Sequence, residues 1–290
     1  VNVSPEGFAT DAENAAVPSK SMSVFRYAAD RPRVAVFATH LAIDFCAYLF
    51  IDNPLVLLVY ATVGIFLKAP ACAFNHHHQH VPTFHSDVLN RLVEIMYGLQ
   101  TGAFSHAWVL HHSVGHHLHY LDQKLDESRW QRDDGTKMGE LEYSMNVTLT
   151  AYPRAWQVGA KYPKLRFTLL WMSLLTLTIM AALVAYRPIP GLFLFVLTPF
   201  FTLFGTAWAT YAHHAGRSTA SHSVASNNIL QPFYNWWTGN LGFHTAHHTR
   251  PGVHWSELPK LHDELKANIP ADAYNAPGAP WKWFGKSPTS

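Results

Sequence analysis

Two stretches of this sequence, 167–186 and 190–212, contain no charged residue and are about as long as the ~20 residues a helix needs to cross a bilayer. Helices on the surface of a soluble fold keep a polar face, and neither stretch offers one. Two further stretches, 34–50 and 54–74, are similar but are interrupted by Asp44 and Lys68. A spanning helix keeps such groups by turning them toward protein or by reaching for the headgroups. Only Ile51 to Asn53 and Arg187 to Ile189 separate the members of each pair, so the chain must reverse there. The expected fold is an all-α integral membrane protein with four spans in two hairpins, and buried core helices of a large soluble protein are the alternative.

With both turns on one side of the membrane, both termini and the long segment 75–166 share the other. Arg26, Arg31 and Arg33 precede the first span and Lys161, Lys164 and Arg166 the third, while the turns offer Arg187 alone. Excess Lys and Arg mark the cytoplasmic side, so segments 75–166 and 213–290 are expected to form a cytosolic cap on a single domain. No apolar core of a signal peptide stands in residues 1–30, where Asp11, Glu13 and Lys20 fall. The first and last 20 or so residues read as loosely ordered tails. Cys46 and Cys72 lie in apolar runs and read as small buried side chains rather than a disulfide framework. A net charge of +2 with scattered Lys and Arg excludes a nucleic-acid partner.

The chain holds 20 histidines, and only His40 lies within a proposed span. That placement suits an enzyme working at the membrane surface. A metal transporter, the rival reading, would carry ligands at mid-membrane depth. Three groups stand out. Asn75-His76-His77-His78-Gln79-His80 follows the second stretch, and if the helix continues, His76 and His80 share a face. His77 and His78 point elsewhere, and His85 competes with His80. In His111-His112-Ser113-Val114-Gly115-His116-His117-Leu118-His119, His112 and His116 share a helical face with His117 beside them. In His244-Thr245-Ala246-His247-His248, His244 stacks over both His247 and His248.

Neutral imidazoles suit iron, copper, zinc and nickel, so ligand type leaves the metal open. Number says more, since four ligands close a zinc site and eight or more imply two metals or one metal with bystanders. The Glu-x-x-His pairs of soluble di-iron bundles, the His-Glu-x-x-His of zinc proteases and the G-x-S-x-G nucleophile elbow are all absent from the sequence.

These groups, HxxxH, HxxxHH and HxxHH in that order around two hairpins, resemble the membrane fatty acid desaturase and hydroxylase superfamily over about residues 34–262. Phe84 and Asn90 fit the family's spacing after its first box. The run from His244 through Thr249-Arg250-Pro251 to Leu258-Pro259 is similar to its closing segment. Thr210-Tyr211-Ala212-His213-His214 resembles the Asn-Tyr-x-x-His segment of membrane alkane hydroxylases, with Thr210 in place of the Asn. The resemblance nominates His76, His80, His112, His116, His117, His214, His244, His247 and His248 as ligands of two irons, with His213 the rival of His214. Asn75, His85, His111, His213 and Asn240 would stand behind the ligands and orient them, and His106 and His119 are read as orienting groups or bystanders.

The resemblance implies dioxygen as co-substrate and hydrogen removal from an unactivated C–H bond of a fatty acyl chain in a tunnel made by the spans. Loss of a second hydrogen gives an alkene, return of hydroxyl an alcohol. The leading expectation is desaturation, with hydroxylation or oxidative decarboxylation to a terminal alkene as neighbours and a zinc-dependent membrane enzyme as a rival. No CxxC pair and no GxGxxG stand in the sequence, so electrons are expected from a separate ferredoxin, rubredoxin or small cytochrome with its reductase. A bacterial plasma membrane is the expected location. The stretch from Lys124 to Lys137 reads either as a docking surface for the donor or, with more weight, as a solvated loop.

Overall fold

The computed structural model describes residues 23–278 and 281–285. The expectations for the extreme amino terminus lie outside them. In chain order the helices are α1 (Asp30–Phe50), α2 (Pro54–His80), α3 (Asp87–Thr101), a π-helical turn at Val109–Val114, α4 (Glu140–Val158), α5 (Pro163–Tyr186), α6 (Pro188–Leu192), a second π-helical turn at Phe193–Leu197, α7 (Thr198–His214), α8 (Pro232–Thr238), α9 (His244–Thr249) and α10 (Leu258–Leu265). No strand occurs among the described residues. Four helical arms are long and apolar enough to cross a membrane: α1, α2, α5, and the arm from Pro188 to His214 made by α6, the π turn and α7.

Each arm starts or ends beyond its apolar stretch, because backbone hydrogen bonds continue where apolarity stops. α2 is capped by Asn53, whose side chain accepts from the Leu55 and Val56 amides, and runs past 74 to His80. The first histidine group is therefore a rigid extension of a span. The last arm likewise carries His213 and His214 on its final turn. Pro199 cannot donate to the carbonyl four residues back. Ahead of it the helix widens to π geometry, and Thr198 donates both its backbone N–H and its Oγ1, the latter at 2.8 Å, to the Phe193 carbonyl.

The two charges that interrupt α1 and α2 meet. Lys68 Nζ lies 2.7 Å from Asp44 Oδ2, both side chains are buried, and Tyr60 OH donates to Asp44 Oδ1 at 2.9 Å. A buried pair of this kind joins the helices of the hairpin without leaving either charge uncompensated. At the far end Arg187 pairs with Asp52 and donates to the Tyr48 carbonyl, tying the two hairpin turns together. Beneath them Tyr48, Leu57, Leu99, Phe104, Leu194 and Phe195 form a buried apolar cluster.

α7 is the hub, packing against α2, α3 and α4. Its approach to α3 depends on Gly102, which ends that helix at φ +70°; a Cβ there would stand 2.7 Å from the Pro199 carbonyl oxygen. The carboxy-terminal stretch expected to be loose is packed as far as it is described: Trp281 stacks on Phe66 at 5.7 Å, and Gln231 Nε2 donates to the carbonyls of Trp281 and Gly285 at 2.8 and 2.6 Å.

Candidate metal centre

Side chains from α2, the first π turn and the residues after it, α7 and α9 converge at one end of the helical arms, where nine histidines fall into two clusters. His76, His80, His112, His117 and His247 each offer a nitrogen within 4.8 Å of the others, and so do His116, His214 and His248. His244 joins the second cluster, with Nε2 at 2.9 Å from His214 Nε2 and 3.2 Å from His248 Nε2. The clusters touch, the rings of His117 and His248 stacking at 4.1 Å.

The second group does not form the α-helical face expected of it. Gly115 N bonds to the Leu110 carbonyl and His117 N to the His112 carbonyl, both at 2.9 Å and both five residues back. This wider turn, a form frequent at functional sites, superposes His112 and His117, whose Nε2 atoms lie 3.0 Å apart, and sends His116 to the other cluster. In α9 the α-helical period places His248 over His244, while His247 faces the first cluster with Nε2 buried and without a hydrogen-bond partner. The second and third groups each divide between the clusters, and neither serves a single centre.

The protonation pattern in the second cluster tests whether a metal fits. His116 Nδ1 lies 2.7 Å from Asp126 Oδ1, His214 Nδ1 3.2 Å from the Ala225 carbonyl and His244 Nδ1 3.3 Å from the Leu241 carbonyl. These partners only accept, so each Nδ1 carries the proton and each Nε2 presents a lone pair. Yet His214 Nε2 stands 2.9 Å from His244 Nε2 and 3.3 Å from His116 Nε2. Facing acceptors cannot hydrogen-bond, and a cation between them removes the conflict. Nitrogens bound about 2.0–2.1 Å from one metal lie about 3.0 Å apart at right angles and about 3.4 Å apart at the tetrahedral angle. The first cluster has the same spacing: His76 Nε2 is 2.8 Å from His112 Nε2 and 3.1 Å from His80 Nε2.

Burial pushes His112, His117, His244, His247 and His248 well below the usual histidine value, and neighbouring imidazoles add to the effect. Their rings are neutral donors, the form that binds metal.

The remaining histidines have other duties. His77 Nε2 donates to the Thr238 carbonyl at 3.1 Å. His78 spans Thr83 Oγ1 at 2.9 Å and Glu94 Oε1 at 3.2 Å, pinning α2 to α3. His85 is exposed on a bend and joins neither cluster. His213, the rival of His214, is held by Asn227 O and Tyr234 OH at 3.2 and 2.8 Å and stacks on His244 at 4.0 Å. His111 is buried within the first π turn with Nε2 unpartnered, and His106, at φ +62°, accepts from Arg91. Asn75 bonds to the Ala103 carbonyl and accepts from Gln79, whose own oxygen takes the Val109 amide. It thus fixes the π turn against α2. Asn240, also at φ +62°, donates to the Trp255 carbonyl at 3.1 Å and shapes the approach to α9. Asn90 holds the Phe84 backbone through both its amide atoms.

Asp126 and Tyr120 escaped the sequence reading. The stretch from Lys124 to Lys137 is not wholly solvated, because Asp126 is buried behind His116. Nothing in the sequence separates Asp126 from Asp122, Glu127 or Asp133 as that partner. Tyr120 is buried with its ring 4.3 Å from that of His248.

A cavity of about 550 Å³ leads away from the histidines between α2 and α7. Ile65, Phe66 and Ala69 line one side and Gly205, Trp208 and Ala209 the other, with His76, His112 and His244 at its end. Its lining is mostly apolar, and its size lies in the roughly 300–1,000 Å³ range of small-molecule sites.

The family model described as Fatty acid desaturase matches residues 18–277. No curated protein and no solved structure matches the chain.

Proposed function

The chain belongs to the fatty acid desaturase family, and from that premise we propose that it is an integral-membrane oxidoreductase which uses dioxygen and external electrons to desaturate a fatty acyl chain at a pair of irons. His76, His80, His112, His117 and His247 hold one iron and His116, His214, His244 and His248 the other. The observation that carries the assignment is the set of facing Nε2 atoms of His116, His214 and His244, which a metal ion between them reconciles.

When bound and reduced, two irons supply the dioxygen chemistry that can break an unactivated C–H bond. The chain's own residues do the rest. Asp126 holds the Nδ1 proton of His116 and keeps its Nε2 lone pair turned inward. The cavity between α2 and α7 takes the acyl chain in extended form and ends on His76, His112 and His244, which places a carbon against the centre and fixes which C–H bond reacts. Its apolar walls keep water from the reacting carbon. The basic residues at the starts of α1 and α5 set the histidine end on the cytoplasmic side, where a soluble ferredoxin, rubredoxin or small cytochrome can deliver electrons.

Metal content of the detergent-purified protein, measured with oxygen uptake under ferredoxin, reductase and a panel of acyl substrates, tests this reading. The expected result is two irons per chain, substrate-dependent oxygen uptake and an alkene product. An alcohol or a shortened terminal alkene would keep the centre and change the product. Zinc without oxygen uptake would overturn the reading.

A further inference from the structure

The second cluster is joined to the molecular surface by a pair of side chains that binding metal or substrate does not require. Tyr120 is buried, and its ring centroid lies 4.3 Å from that of His248, 5.8 Å from His116 and 6.1 Å from His214. It leans on three of the four histidines of this cluster. Its hydroxyl hydrogen-bonds to Nδ1 of His222 at 2.5 Å. His222 is exposed, on the loop that follows α7. Gly216, at the start of that loop, faces Lys137: a Cβ there would lie 3.5 Å from its side chain. The segment from Tyr120 to Lys137 and the loop around His222 thus lie side by side over the second cluster.

We infer that His222 and Tyr120 form the route by which electrons pass from the protein surface to the second histidine cluster. The inference rests on the proposed redox role of the irons. A reduced one-electron carrier protein gives up one electron per encounter, and a ferric ion of the centre becomes ferrous. Tyr120 and His222 keep their own oxidation states, because they act as bonded matter through which the electron tunnels. A hydrogen bond and a ring contact replace open space along that line.

Cys72 is buried as expected but Cys46 is exposed, so a photosensitiser attached at Ser221→Cys, an exposed neighbour of His222, in a Cys46→Ser background can inject electrons by flash into the iron-loaded protein. A second sensitiser position, Lys260→Cys on exposed α10 surface, serves as control. Reduction of the ferric centre is followed optically, with iron content measured alongside. From position 221, both Tyr120→Phe, which keeps the ring and loses the hydroxyl, and His222→Ala should slow reduction several-fold at unchanged iron content. From position 260 neither should change the rate. No slowing from 221, or equal slowing from both positions, overturns the route. Should Tyr120→Phe fail to hold iron, the exposed His222→Ala carries the same comparison. A wild-type centre that dithionite cannot reduce would instead overturn the redox reading on which the route depends.

Discussion

The two histidine clusters are built from the same side chain and held by different means. In the second, His116, His214 and His244 each rest Nδ1 on a carboxylate or carbonyl oxygen. In the first, Nδ1 of His76 and of His117 is buried without a partner, and His80 Nδ1 reaches only Ser113 Oγ at 3.5 Å. Its rings lean on one another, His76 on His112 at 4.5 Å and His80 on His117 at 4.7 Å. Orientation comes there from the backbone: the four-residue period of α2 sets His76 and His80, and the five-residue period of the π turn sets His112 and His117. The first cluster should therefore be sensitive to backbone changes and the second to the loss of a hydrogen-bonding partner.

The strongest break of this comparison removes a histidine from one side. His112→Ala should abolish activity and release the metal of the first cluster while the second keeps its own; His244→Ala should do the reverse. Metal content per chain checks both, and loss of both metals in either variant would mean that the clusters form one inseparable unit. Asp126→Asn should weaken metal retention about 10–100-fold through the second cluster, read by chelator titration.

Gly115→Ala addresses the backbone side. A Cβ at Gly115 would stand 2.6 Å from both Glu127 Cγ and the His111 carbonyl oxygen, so the π turn must shift, at a cost of roughly 1–3 kcal/mol. Thermal unfolding should show that loss, and metal should leave the first cluster before the second. Acid probes what the clusters share. His112, His117, His244, His247 and His248 are held below the ordinary value of 6.5, so below that pH the unfolded chain binds protons that the folded chain refuses. Their contribution to stability is full above about pH 6.5 and is lost as pH falls, and a thermal melt across pH 5–7 should show the decline. The smallest effect belongs to His262→Ala. That ring packs on Phe243 at 5.1 Å and joins neither cluster, and metal content should be unchanged.

Much of this could be read along the chain. Apolar length gave the four arms, and an i, i+4 pair at the end of a span was enough to place His76 and His80 together. His214 was reached through a local motif, although His213 beside it is equally buried. What separates them is the Nε2 of His213, already occupied by Tyr234 OH, a partner no local pattern supplies. The α-helical reading of the second group failed at the π turn, because a five-residue hydrogen-bond period leaves no mark in the order of side chains.

The sequence by itself determined that this chain crosses a membrane and gathers histidines at one end of its spans, because apolar length and helical spacing are local properties. The division of nine histidines into five and four was decided only in the tertiary structure. So were the burial of Asp126 behind His116 and the line from Tyr120 to the surface. Each depends on side chains far apart in the chain meeting at angles set by how α2, α7 and α9 pack.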